Sequence, residues 1–432
     1  MIPGVPSLAS SVEASAKRIA GDDARSSSVK NAGYDIARLC SPAVTLERVR
    51  PLLSALGITR VANLTGLDRA GIPVVAVVRP NSRSYSVAQG KGLTLEAAKA
   101  SGIMESIENY HAEETSLSLR LGSWRELRRR FLVAEVRGLP RLATSKFTAD
   151  ARLLWAEGGV DLVSGETALT PYEMVHLDFR SPRAQGSGCF IASSNGLASG
   201  NHVLEALSHA LCEVIERDAN TLFHLSGEAA QRERRIDLGT VRDPACRALI
   251  DRLDAADIDV LAWNTTTDIA VPSVACDVVD RDEDVLRPMP PVRGSGTHPS
   301  RRVALSRALT EAAQGRLTRI SGSRDDLFGD TFDDTVARRR SAAVRAELRA
   351  HRATVSFDSV PDINQPTVEE DVQWICGALQ AAGLRQIIAL NLTRPDIGVP
   401  VVRAVVPYLE AMSEMPGFVP GTRARRAMEG AR

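Results

Sequence analysis

Three stretches of the chain share one arrangement of apolar and polar positions. Residues 61–78 (VANLTGLDRAGIPVVAVV), 262–279 (AWNTTTDIAVPSVACDVV) and 389–406 (ALNLTRPDIGVPVVRAVV) each begin near an Asn-x-Thr step. Each then passes a few turn residues with an Asp, an apolar-Pro step and a Val-rich run. Asn and Asp favour turns by bonding nearby backbone, and a proline at the start of a strand removes no needed ladder bond. The pattern predicts strand, loop, strand in each case, with Asn63, Asn264 and Asn391 at the turns. Pro73, Pro272 and Pro400 then open the second strands. Internal duplication would produce this pattern, and so would turn chemistry common to unrelated hairpins.

Three further segments carry helical periodicity: 91–114, 201–223 and 300–320. Each follows a Gly-rich stretch (AQGKG, SNGLASG, RGSGTHP) that reads as a flexible turn, and Thr94, Asn201 and Ser300 read as N-caps. Each helix has an acid followed three residues later by an acid or amide: Glu105/Glu108, Glu213/Glu216 and Glu311/Gln314. Four residues before the first acid stand Ser101, His209 and Arg307. Spacings of three and four place these on one helical face. Strand pairs alternating with such helices predict an α/β fold whose sheets are mixed or mostly antiparallel. Residues 280–300 and the chain beyond Pro407 lack periodicity and read as loops. RELRRRF (125–131) reads as a solvated helical face.

Composition changes this picture little. The 432 residues have zero formal net charge, 44% hydrophobic and 25% charged residues, as in an ordinary globular protein. No strong field favours nucleic acid or an anionic membrane, so neither is expected as a partner. No apolar run approaches membrane-spanning length and the N-terminus lacks a signal-peptide core, so a cytoplasmic protein is expected. The cysteines are scattered without a CxxC pair, and most read as core fillers. The expected organisation is a partly flexible segment over 1–40, one catalytic domain over 41–410 and a tail over 411–432.

A single acidic helix face is most simply a solvated one. Here the acidic face lacks matching lysines and recurs three times in the same phase. Carboxylates brought together repel one another unless cations neutralise them, and Mg²⁺ prefers oxygen ligands shared with substrate phosphates. Converging helices would therefore suit a polyphosphate bound through Mg²⁺, with Arg217 and Arg307 as fixed positive charges. Standard nucleotide fingerprints are absent: Gly92 follows Lys91 where a P-loop needs Ser or Thr, and no G-x-G-x-x-G occurs. Zinc spacings and G-x-S-x-G are absent too. Cys212 and Asp218 fall off the shared face and read as structural. A solvated-surface coincidence stays open on these residues alone.

Together the motifs resemble the YcaO-domain family, enzymes that use ATP to activate a peptide backbone amide. The first motif, S-x3-E-x2-E-R, is matched by Ser101, Glu105 and Glu108; the second, N-x3-E-x3-Q-x3-E-x2-E-R, by Asn201, Glu205, Glu213, Glu216 and Arg217. The third, R-x3-E, is Arg307 and Glu311. Asn109 replaces the Arg of the first motif and His209 the Gln of the second. The resemblance covers about residues 45–410. It implies a YcaO-type fold with Mg²⁺ on Glu105, Glu108, Glu205, Glu213, Glu216 and Glu311. Ser101, Asn201, His209, Arg307 and Gln314 would surround ATP, Lys91 would contact phosphate, and Arg217 would orient the acids.

The implied reaction is phosphoryl transfer to an amide oxygen of a ribosomally made precursor peptide. Azoline-forming members often end in a Pro-rich tail, whereas this chain ends FVPGTRARRAMEGAR. Its VPVVRAVVPYLEAM is more similar to members paired with a TfuA-like partner protein, which install thioamides from an external sulfur source. Thioamide formation is the leading expectation, with azoline or amidine formation, or a non-catalytic ATP- and peptide-binding scaffold, as alternatives. The resemblance also suggests a homodimer.

Overall fold

The computed structural model describes residues 38–184, 186–284, 288–322 and 333–430, and positions 12, 14, 15, 18, 19, 29 and 30 before them. Within the expected flexible segment, Val12 and Ile19 are buried in the core and Lys30 Nζ lies 2.6 Å from Asp371 Oδ2. Those positions are held; apart from these and 14, 15, 18 and 29, residues 1–37 lie outside the described residues.

Helix α1 (Pro42–Val49), capped by Ser41, precedes a first unit of β1 (Arg60–Asn63), β2 (Val74–Val78), β3 (Val87–Lys91) and α2 (Leu95–Glu113). Next come β4 (Leu119–Ser123), α3 (Trp124–Leu127), β5 (Leu132–Val133), β6 (Arg152–Asp161) and β7 (Thr167–Pro171). Strand β8 (Leu197–Ser199) leads into the long α4 (Val203–Leu225), followed by α5 (Glu228–Glu233), β9 (Ile236–Asp237) and α6 (Pro244–Ala255). A second unit is β10 (Ile258–Asn264), β11 (Ser273–Asp280), β12 (Val292–Thr297) and α7 (Arg301–Ser321). Then follow α8 (Asp334–Ala350), β13 (Val355–Ser356), α9 (Val368–Ala381), β14 (Ile388–Asn391), β15 (Val401–Val405) and α10 (Thr422–Gly430).

The three repeated segments are hairpins of one design. Asn63, Asn264 and Asn391 end their first strands, and each side chain accepts a bond from the N–H two residues on, at 3.1, 3.1 and 2.9 Å. Across the ladder each Asn faces the residue two past the proline: Val75, Val274 and Val402. Each hairpin gains a third antiparallel strand, β3, β12 or β8. The helix that follows the third strand, α2, α7 or α4, belongs to the same unit. In the third unit the wiring is out of order, because β8 and α4 precede the hairpin β14–β15 in the chain. That hairpin and β8 join a seven-stranded sheet ordered β5-β7-β6-β14-β15-β8, with β4 also paired to β6. Only the short β5–β7 and β9–β13 pairs are parallel among the described strands, so the sheets are mixed and mostly antiparallel, as expected.

Five local expectations are corrected. The Gly-rich stretches are not flexible turns but largely the third strands themselves. Their glycines let a helix lie directly on the strand: a Cβ at Gly90 would overlap Ala98 O and Gly102 N, and at Gly294 it would overlap Ala308 O. Accordingly β12 occupies part of the supposed 280–300 loop. The tail holds α10, anchored by Arg423 to buried Asp218 and to Asp268. Helix α4 is capped by His202, whose ring accepts from Leu204 N at 3.0 Å, and not by Asn201. Within 125–131 the helix is only the single turn of α3, set by a Ser123/Glu126 capping box.

The cysteines at 189, 212, 246, 276 and 376 are buried and form no disulfide. Among the described residues no helix is long and apolar enough to cross a membrane.

Close strand–helix contact makes a stability prediction. Gly294→Ala should lower the urea midpoint by an amount equivalent to about 3 kcal/mol, since overpacking against backbone has little room to relax. Gly377→Ala, in α9 with nothing within 4 Å of the new methyl, should be neutral or stabilising by up to ~1 kcal/mol.

Candidate functional site

Helices α2, α4 and α7 present their polar faces to one cavity of about 1270 Å³. Lys91, Ser101, Glu105, Glu108, Asn201, Glu205, His209, Glu213, Glu216, Arg217, Arg307, Glu311 and Gln314 all line it. Every residue assigned to the site from the sequence therefore lines the same space. Asp218 does not: it is wholly buried and binds Arg423 and the Glu410 N–H instead.

The carboxylates occupy different electrostatic positions. Glu108 Oε1 accepts from Ser199 N at 2.8 Å and Ser199 Oγ at 2.7 Å. Burial still dominates and, with the charges of Glu105 and Glu213, pushes its carboxyl up to about 8. Burial also lifts Glu213, against the pull of Arg217. Glu311 goes the other way. Burial opposes its charge, yet Lys91 Nζ at 2.6 Å and the nearby Arg217 bring it down to about 2. Ser295 Oγ donates toward Glu216 Oε1 and Glu311 Oε1, both at 3.2 Å. Glu216 Oε2 is buried without a hydrogen-bond partner. Arg217 stands 3.8 Å from both Glu213 and Glu216, a Coulombic rather than hydrogen-bonded distance.

The nucleotide-type residues line the other walls. Arg307 Nη2 lies 2.8 Å from His209 Nε2. Burial first, and Arg307 second, hold the His209 pKa well below its ordinary value, so the ring is neutral and accepts from the guanidinium. A neutral imidazole can thus play the acceptor part an amide would play there. Asn201 Nδ2 donates to Thr45 Oγ1 of α1 at 3.0 Å, and Gln314 Nε2 donates to Gln89 O at 3.1 Å. Glu205 pairs with Arg38 at 2.8 Å. Asn109 is buried on the cavity wall and adds no charge.

Arg38, Thr45, Ser199 and Ser295 were not legible as site residues. Ser199 and Ser295 carry a signal only once their Gly-rich stretches are read as strands, which places them facing the helices. Arg38 and Thr45 belong to no pattern and reach the cavity through tertiary packing alone.

The donor set fits a divalent cation. Glu216 has an orphaned buried oxygen, and burial raises the Glu108 and Glu213 carboxyls; a hard cation relieves both conditions. Among the described residues no three His, Cys, Asp or Glu side chains are already grouped around a single ion. Mg²⁺ commonly takes one or two carboxylates and completes its shell with waters and substrate phosphates.

Residues 89–410 match the family described as YcaO cyclodehydratase, ATP- and Mg²⁺-binding. A Rhizobium leguminosarum protein described as an uncharacterized protein in the tfuA 3′ region is 36% identical over 421 residues, 96% of this chain and 97% of its own length. An uncharacterized protein of Methanothermobacter thermautotrophicus is 34% identical over 406 residues, 90% of this chain and 98% of its own length. The fold matches a heterocyclase in complex with substrate and cofactor at a TM-score of 0.72 and 21% identity, over 89% of this chain but 54% of that one. It also matches YcaO from Methanopyrus kandleri bound with AMPPCP and Mg²⁺ at 0.69 and 24%, over 90% and 99%. The chain belongs to the YcaO family, whose members bind ATP and Mg²⁺.

The raised Glu108 carboxyl sets a pH dependence. Its folded pKa of about 8 exceeds the 4.5 of a free glutamate, so between those limits the folded state holds the extra proton. Stability contributed by this group is complete below about 4.5 and is lost as pH rises through about 8. Urea titrations of metal-free protein should therefore show Glu108→Gln declining less than wild type between pH 5 and about pH 8.

Proposed function

We propose that the chain is an ATP-dependent enzyme that activates a backbone amide of a ribosomally made peptide. We further propose that, with a TfuA-like partner and an external sulfur source, it converts that amide to a thioamide. The observation that carries the ATP-dependent reading is the meeting of the polar faces of α2, α4 and α7, with the six motif glutamates among them, in one cavity. Thioamide formation is supported by the similarity to the tfuA-region protein over nearly the whole of both chains.

In this reading Glu105, Glu108, Glu205, Glu213, Glu216 and Glu311 hold Mg²⁺, which when bound neutralises charge on the phosphates. Lys91, Ser101, Asn201, His209, Arg307 and Gln314 place the nucleotide, and Arg217 keeps Glu213 and Glu216 directed inward. A hydrosulfide-level sulfur adds to the amide carbon, and the carbonyl electron pair moves onto oxygen. That oxyanion attacks the γ-phosphorus and ADP leaves. Collapse of the adduct then breaks the C–O bond, a proton leaves, phosphate departs and C=S remains. The protein need only position reactants and stabilise charge, without a nucleophile of its own.

Azoline formation is the second reading, supported by the family's description as cyclodehydratases and by the heterocyclase fold match. There a substrate Cys, Ser or Thr adds in place of external sulfur, and water is lost overall.

The test is mass spectrometry of candidate precursor peptides incubated with the chain, partner, ATP and a sulfur donor. An oxygen-to-sulfur mass gain supports thioamidation, and loss of water replaces it with the second reading. No phosphate release from ATP under any combination would favour a scaffold. In the active system, Glu105→Gln and Glu213→Gln should each reduce product formation by about 10²-fold or more with the fold retained.

A further inference from the structure

Arg403 is a buried cation that no motif singles out. It sits in the middle of β15, among valines, and is wholly buried. Its Nη2 donates to Ser193 O at 2.6 Å, while Nε and Nη1 have no hydrogen-bond partner.

The repeated hairpins show which way this position faces. Counted from the aligned prolines, Arg403 takes the place of Ala76 in β2 and Ala275 in β11. Ala76 pairs with Gln89, Ala275 with Ser295 and Arg403 with Leu197. Directly opposed residues of an antiparallel pair project from the same face of the sheet. Gln89 and Leu197 line the cavity, and Ser295 binds Glu216 and Glu311. In all three units this position thus lies on the face turned toward the acidic helices. Two units fill it with a methyl group; the third fills it with a guanidinium. Ser193, which receives that guanidinium, also lines the cavity. Burial lowers the Arg403 pKa only to about 10, so it is charged at neutral pH, and Glu213 is the acid whose charge it feels.

We propose that Arg403 is a positioning residue of the cage, a permanent counter-charge behind Glu213 that strengthens binding of the Mg²⁺–nucleotide and fixes the cavity edge at Ser193. This rests on the nucleotide-binding reading above. Removing a buried positive charge leaves the cavity more anionic, and a polyphosphate then enters against greater repulsion. A purely packing role would need only the bond to Ser193 O and the side-chain volume.

Three variants separate these roles: R403K keeps the charge, R403Q keeps a donor without charge, and R403M keeps neither. Calorimetric titration with a non-hydrolysable ATP analogue in excess Mg²⁺, alongside melting temperature, reads the outcome. R403Q and R403M should bind about tenfold more weakly, and R403K within about threefold of wild type. R403M should melt lower than wild type, because it leaves the Glu213 carboxylate without its buried counter-charge and Ser193 O without its donor. Should R403M fail to fold, R403Q against R403K decides. Wild-type affinity in R403Q, or equal loss in R403K and R403Q, overturns the counter-charge. Wild-type protein that binds no analogue overturns the nucleotide reading itself, a distinguishable result.

Discussion

Mutual repulsion among carboxylates is the constraint around which this fold is arranged. Glu205 and Glu216 are only 3% and 2% exposed, and Glu105, Glu108, Glu213 and Glu311 share the same cavity. Bulk water screens acids poorly in that setting, so the protein sets compensating groups against five of them. Lys91 neutralises Glu311, Arg38 pairs with Glu205, Ser199 donates twice to Glu108, and Arg217 stands off Glu213 and Glu216. The compensation is uneven: Glu311 is held firmly anionic while Glu108 is driven toward its neutral form. Such a spread leaves a gradient of cation demand across the cavity, highest beside Glu108 and Glu216 and already met beside Glu311.

Close approach between strand and helix makes this arrangement reachable. Helices α2 and α7 each lie on a strand relieved of side chains at its glycines, where the two backbones meet, which draws their polar faces inward. Longer side chains at Gly90, Gly294 or Gly296 would push the helices outward. Separation would ease repulsion, but it would also widen the spacing that lets carboxylates on different helices act on one ligand.

Much of this was readable from periodicity. The hairpins, their turn asparagines, the acidic helices and the face they share all follow from local spacing, and each lies where the spacing puts it. Local spacing failed where one residue type has two uses. Glycine serves a loop and also a tight strand–helix contact, so Gly90 and Gly294 were read as turn residues. Asn201 is a good cap by type, yet His202 takes that place and frees the Asn201 side chain for Thr45. Arg38, Ser199, Ser295 and Arg403 reach the site through contacts between distant segments, which no periodicity within a segment encodes. His209 was visible but not interpretable until its contact with Arg307 established a neutral, accepting ring.

The out-of-order wiring of the third unit bears on how the chain is made. During synthesis β8 and α4 emerge long before β14 and β15, the strands that complete their sheet. The first two units can form as they leave the ribosome, because their strands and helices are consecutive. Helix α4, whose Leu207, Leu211 and Ile215 are wholly buried in the finished protein, must wait for residues 388–405. A nascent chain therefore exposes the apolar face of this long helix for much of translation, the condition under which chains recruit chaperones or aggregate. A chain cut short before β15 lacks the strand on which the central helix lies, so its third unit stays incomplete.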